Sequence, residues 1–106
     1  MAWFLIVAAG LFETGFAVLL KQSAHFTRLG PTIGFAACAL ISFGLLSLAL
    51  RELEVGPAYA VWTGIGAVGS IIVGMLVYSE STDPVRILCL TLIVAGMVGL
   101  KLNSPV

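Results

Sequence analysis

Charge is scarce in this chain. Five Lys and Arg residues and five Asp and Glu residues leave nine per cent of the sequence charged, where a soluble domain carries about 25 per cent. Sixty per cent is hydrophobic, so a soluble domain of 106 residues could not cover such a surface. Histidine is nearly absent: His25 stands alone in a polar stretch, with no cysteine or carboxylate at ligand spacing. Cys38 and Cys89 both fall within apolar runs and read as small buried hydrophobes rather than as a disulfide framework or metal cluster. No metal, cofactor or nucleic-acid partner is expected. The first apolar run lacks a basic leading region and a clear small-residue cleavage site, so it does not read as a secretory signal.

What the chain does have is four long apolar runs, over residues 3–20, 33–50, 58–78 and 87–102. Each approaches the roughly 20 residues that cross a bilayer as a helix. The expectation is one all-α membrane domain over residues 1–106, with four short transmembrane helices. Gly30-Pro31 and Gly56-Pro57 open the second and third helices, where the missing proline N–H costs little. Asp83, at the end of a polar turn and just before Pro84, is placed to cap the fourth. Loops of about six to ten residues make successive helices antiparallel neighbours. Both termini then share one side. Lys21, Arg28 and Arg86 lie on one face, and Arg51, Lys101 and the amino terminus on the other. That is almost no positive-inside bias. It fits either a weakly biased single orientation or dual insertion with oppositely oriented subunits pairing.

Glu13 stands near the middle of the first run. A carboxylate at that depth costs roughly 2.5–3.5 kcal/mol on insertion scales, which points to a use for its charge. Intramembrane carboxylates bind protons, cations, or each in turn. Ala9, Phe16 and Ala17 share its helix face. Ser42, in the second run, either donates to a carboxylate or bonds back to its own helix. Tyr59, Trp62 and Thr63 form a polar-aromatic stripe at spacings of three and four. Tyr59 suits an interfacial aromatic belt as well as a site, whereas Trp62 lies deeper. Carboxylate and rings together suit an organic cation, and planar guanidinium matches the two carboxylate oxygens with parallel N–H donors. Gly66, Ser70 and Gly74 on helix three, with Gly96 and Gly99 on helix four, fit close helix packing. Gly64-x-Gly66-x-x-Gly69 matches a dinucleotide fingerprint, but inside an apolar span it lacks the strand and the downstream acid that the fingerprint needs.

These residues carry a resemblance. Gly10-Leu11-Phe12-Glu13, Lys21, Phe26-Thr27-Arg28-Leu29, Ala58-Tyr59-Ala60-Val61-Trp62 and the glycine-rich run from Gly64 resemble the small multidrug resistance family along essentially the whole chain. The resemblance implies an antiparallel homodimer of four-helix subunits in the bacterial inner membrane, exchanging a cation against protons at paired glutamates. The matching glutamate is Glu13. Leu40-Ile41-Ser42-Phe43, Trp62-Thr63-Gly64-Ile65-Gly66-Ala67 and Gly99-Leu100-Lys101 look most like the guanidinium-exporter branch, known as SugE or Gdx. That likeness implies that Glu13 binds substrate and protons, that Ser42 hydrogen-bonds Glu13, and that Tyr59, Trp62, Phe16 and Thr63 line the site. Gly10, Gly64, Gly66, Gly96 and Gly99 are then packing positions, and Lys101 snorkels at the interface. One departure stands out. The branch usually has tryptophan at the position of Phe16, which keeps a ring but has no N–H for Glu13; Gly15 beside it is also unusual.

The expected activity is proton-coupled export of guanidinium or small guanidinyl cations by alternating access, with no enzymatic chemistry. Export of quaternary-ammonium or polyaromatic cations is the alternative within the family. A non-transporting membrane subunit, in which Glu13 only pairs with a partner helix, is the alternative outside it.

Overall fold

The computed structural model describes residues 2–103, which form four helices. They are α1 (Ala2–Gln22), α2 (Leu29–Ala49), α3 (Val55–Val77) and α4 (Pro84–Leu102). All four are long and apolar enough to cross a membrane. Helices α2 and α3 begin a few residues before the expected apolar runs, taking Gly30-Pro31 and Gly56-Pro57 into their first turns. Proline is accommodated there because the first four N–H groups of a helix have no intrahelical acceptor. The first helical bonds form just beyond, from Thr32 N–H to the Arg28 carbonyl at 3.1 Å and from Ala58 N–H to the Glu54 carbonyl at 3.2 Å. At α4 the Asp83 carboxylate accepts from Val85 N–H at 2.8 Å, with Pro84 at the first helical position.

The helices make a thin slab of 43 × 34 × 17 Å. Helix α1 is central, packing along both α2 and α3, whereas α4 packs along α3. The buried apolar core gathers at the end where α1 starts, α2 finishes and α3 starts: Ile6, Ala9, Leu46, Ala49, Leu53, Ala58, Val61 and Trp62. Large side chains such as Phe4, Leu40, Leu76 and Leu92 point outward on all four helices, as suits a solvent of acyl chains. No residue of α4 is buried.

The α1–α2 connection is built on Ser23, which is completely buried. Its hydroxyl donates to the Leu20 carbonyl at 2.7 Å and accepts from Phe26 N–H at 3.2 Å. Its carbonyl accepts from the N–H groups of Thr27 and Arg28. Ala24, His25 and Phe26 between them all have positive φ.

Candidate functional site

Glu13 faces α3, and the helices meet there because α3 presents glycine. A Cβ at Gly66 would overlap the Glu13 carboxyl, and one at Gly69 would overlap the Thr14 hydroxyl. Thr14 points its hydroxyl at the carbonyls of Gly66, 3.3 Å away, and Gly10, 3.4 Å away. Gly10 in turn lies against the side chain of Ile65, and Gly64 against Met97 of α4. The glycine-rich run of α3 therefore serves close packing, with Gly66 and Gly69 seating Glu13 and Thr14. Oε1 of Glu13 is buried and accepts no hydrogen bond from any described residue. A buried carboxylate oxygen without a donor is costly. A proton or a cation offsets that cost.

Ser42 does something other than bond the carboxylate. It is fully buried, and its hydroxyl donates to the Ala9 carbonyl at 2.7 Å while accepting from Trp62 Nε1 at 3.0 Å. A hydroxyl has one proton to donate, and here Ala9 takes it. The expected Ser42–Glu13 hydrogen bond is thus replaced by a bond to main chain, and the alternative back-bond within α2 is not made either. The Ala9 carbonyl is also the regular i−4 acceptor of the Glu13 N–H in α1. Ser42 and Trp62 accordingly clamp the helical turn that carries Glu13, joining α1, α2 and α3 at one point.

Rings continue from that point. Trp62 has its centroid 5.5 Å from Tyr59 and 5.6 Å from Phe43. Phe43 stacks on Phe16 at 6.0 Å, and Phe16 meets Phe35 edge-on at 5.9 Å. Phe16 therefore belongs to an aromatic wall that runs from Tyr59 toward the α1–α2 turn. Tyr59 is 56 % exposed, whereas Trp62 is only 6 % exposed. Phe43 and Thr14 join the site beside the expected residues; in the sequence their signals are adjacency to Ser42 and to Glu13. Thr63 is exposed and stands apart from this network.

Two further expectations change. Gly96 and Gly99 have nothing within reach of an added Cβ, so they pack against no helix of their own chain. Cys89 is exposed rather than buried, and Cys38 is only partly buried, close to Gly15. Among the described residues no group of histidine, cysteine or carboxylate side chains is arranged to hold a metal. Lys101 places its ammonium 5.7 Å from the centroid of the Trp3 ring.

The family model described as Small Multidrug Resistance protein matches residues 1–93. The chain belongs to the small multidrug resistance family. As a small multidrug resistance protein with four membrane-spanning helices it is a multi-pass protein of the bacterial inner membrane, a transporter rather than an enzyme. Among similar curated proteins, the guanidinium exporters of Citrobacter freundii and Salmonella typhimurium are each 52% identical over 104 residues. These alignments span 98% of this chain and 99% of each relative. The guanidinium exporter of Escherichia coli (strain K12) is 47% identical over the same lengths.

Proposed function

We propose that this small multidrug resistance protein exports guanidinium or small guanidinyl cations in exchange for protons. The observation that carries the reading is the Glu13 carboxyl, seated on Gly66 within a membrane span, with a buried oxygen that has no protein donor. Such a group is stabilised by covalent protonation or by a cation, and the two exclude each other at one carboxylate. Guanidinium is the favoured cation because its paired N–H donors fit a carboxylate bidentately. Relatives across the full chain length carry the name guanidinium exporter, which supports the same choice.

The transporting unit in this reading is an antiparallel homodimer working by alternating access. A single slab 17 Å thick offers little enclosed space for a hydrated ion path. Two copies supply a cavity between them and two Glu13 carboxyls. Helix α4, with no buried residue and with Gly96 and Gly99 uncovered, supports contact with a second copy. The near balance of basic residues between the two faces supports insertion in both orientations. The dimer changes face only when its carboxyls hold protons or substrate, because unpaired charges would otherwise cross the low-dielectric layer.

The deciding experiment is guanidinium-linked proton release from purified protein, followed by uptake in vesicles under a pH gradient. Wild-type protein releases protons on adding guanidinium; Glu13→Gln releases none and loses coupled transport, and Glu13→Asp keeps part of it with a shifted pH profile. Full coupled transport by Glu13→Gln removes the basis of the proposal. Uptake of tetraalkylammonium in preference to guanidinium would favour the multidrug reading, since those ions have no N–H groups to give Glu13. Absence of release with any organic cation would leave a structural subunit.

A further inference from the structure

The α1–α3 contact does not end at Glu13. Residues 13, 17 and 21 follow one another at four-residue spacing on α1, as residues 66, 70 and 74 do on α3. The two rows run side by side to the membrane face, which lies about 12 Å along the helix beyond Glu13. Between them at that end is a cavity of about 270 Å³ lined by Ala17, Lys21, Ser70, Gly74, Tyr78 and Glu80. Lys21 holds its Nζ there, 3.7 Å from Glu80 Oε2 and 4.3 Å from the centroid of the Tyr78 ring. Gln22 Nε2 donates to the Tyr78 hydroxyl at 3.3 Å, steadying the ring.

The chain places Glu80 there by a local device. Ser79 takes a φ of 54°, turning the chain back after α3. Glu80 N–H then donates to the Gly74 carbonyl at 3.0 Å. The Glu80 side chain lies directly on Gly74, where a Cβ would overlap its carboxyl. A carboxylate and an aromatic face thus converge on one positive charge, which is the chemistry that recognises an organic cation. That charge belongs to the protein itself. Both charged side chains are substantially exposed, at 58% and 43%, and ion pairs so exposed contribute little to stability. An incoming cation can therefore displace the lysine at small cost, and a guanidinium fits the carboxylate better than an ammonium does.

We propose that Glu80 and Tyr78 form an outer subsite for guanidinium-type cations at the membrane-face end of the α1–α3 contact, about two helical turns from Glu13, and that Lys21 is a tethered cation competing with substrate for it. The inference rests on the exporter reading above. It is tested with uptake kinetics of guanidinium by the full-length protein in vesicles. Lys21→Met removes the competitor and lowers KM, whereas Glu80→Gln and Gly74→Ala raise it; kcat stays near wild type. A general field effect would move the charge-changing variants the same way, so two charge-conserving variants decide. Lys21→Arg installs a tethered guanidinium and raises KM roughly two- to five-fold, and Tyr78→Leu does the same by removing the ring. Tyr78→Phe keeps the ring but loses the Gln22 hydrogen bond, and raises KM less than Tyr78→Leu does. A wild-type KM in both Lys21→Arg and Tyr78→Leu overturns the subsite, as does an equal rise in Lys21→Met and Glu80→Gln, which would mark the pair as structural. Those outcomes leave wild-type uptake intact, whereas absence of guanidinium uptake by the wild type removes the exporter reading and the subsite with it.

Discussion

Gly66→Ala separates the seat of the carboxylate from the stability of the fold. In a helix interior alanine is favoured over glycine by about 0.8–1.0 kcal/mol, so the substitution starts with a gain. The atoms its Cβ would overlap are Cγ, the carboxyl carbon and Oε1 of Glu13. They form the free end of a flexible side chain, so a rotation of Glu13 relieves the clash without moving either helix. Melting temperature is therefore expected to stay level or rise slightly. Cation binding is not spared, because the carboxyl no longer sits where it did. Hydrogen bonds to a charged group contribute about 1.5–3 kcal/mol, and each 1.4 kcal/mol is roughly a factor of ten. Guanidinium affinity should fall by about 10- to 150-fold. The assay is guanidinium-linked proton release on purified protein, with thermal melting of the same preparation. Wild-type affinity in the variant would refute the reasoning, and so would loss of fold and binding together, which would locate the damage in packing.

Gly10→Ala is the counterpart. Its Cβ would meet Cβ and Cγ2 of Ile65, 2.6 and 2.5 Å away, close to the α3 backbone and unable to swing clear, so melting should drop with a loss of about 1–3 kcal/mol. Ser42→Ala leaves the buried indole N–H of Trp62 without its acceptor, which should destabilise by about 1–3 kcal/mol and be read as a lower melting temperature. Ser23→Ala removes the hydroxyl that joins the Leu20 carbonyl to Phe26 N–H; a loss near ~1 kcal/mol is expected, with faster amide exchange confined to residues 24–28.

Much of this architecture is written in patterns that a bilayer makes easy to read. Lipid forces the backbone to satisfy itself within each helix, so four apolar runs separated by polar turns can hardly be anything but four helices. Asp83 and the two Gly-Pro pairs mark helix starts by rules that depend on local chain chemistry alone. Glu13 stands out because charge is expensive where it lies. Partners across helices are another matter. A serine in an apolar run has several acceptors within reach, and only the rotation of α2 about its axis decides between the Glu13 carboxylate and the Ala9 carbonyl. The role of Gly66 as the seat of Glu13 depends likewise on the register of α1 against α3, which no periodicity within either helix encodes. Gly96 and Gly99 looked like their equals in sequence, yet they face outward. Spacing identifies a smooth helix face without saying what lies against it.

Every non-glycine residue of left-handed backbone among those described, Ala24, His25, Phe26 and Ser79, belongs to the connections at a single end of the bundle. The opposite turn, over residues 50–54, has none. Such conformations cost roughly 1–2 kcal/mol per residue and persist where their surroundings over-determine them, so one rim of the molecule is wound taut and the other is relaxed. Were two copies to sit head to tail, each leaflet would hold one taut rim beside one relaxed rim. Two identical polypeptides would then offer unlike edges to the same compartment.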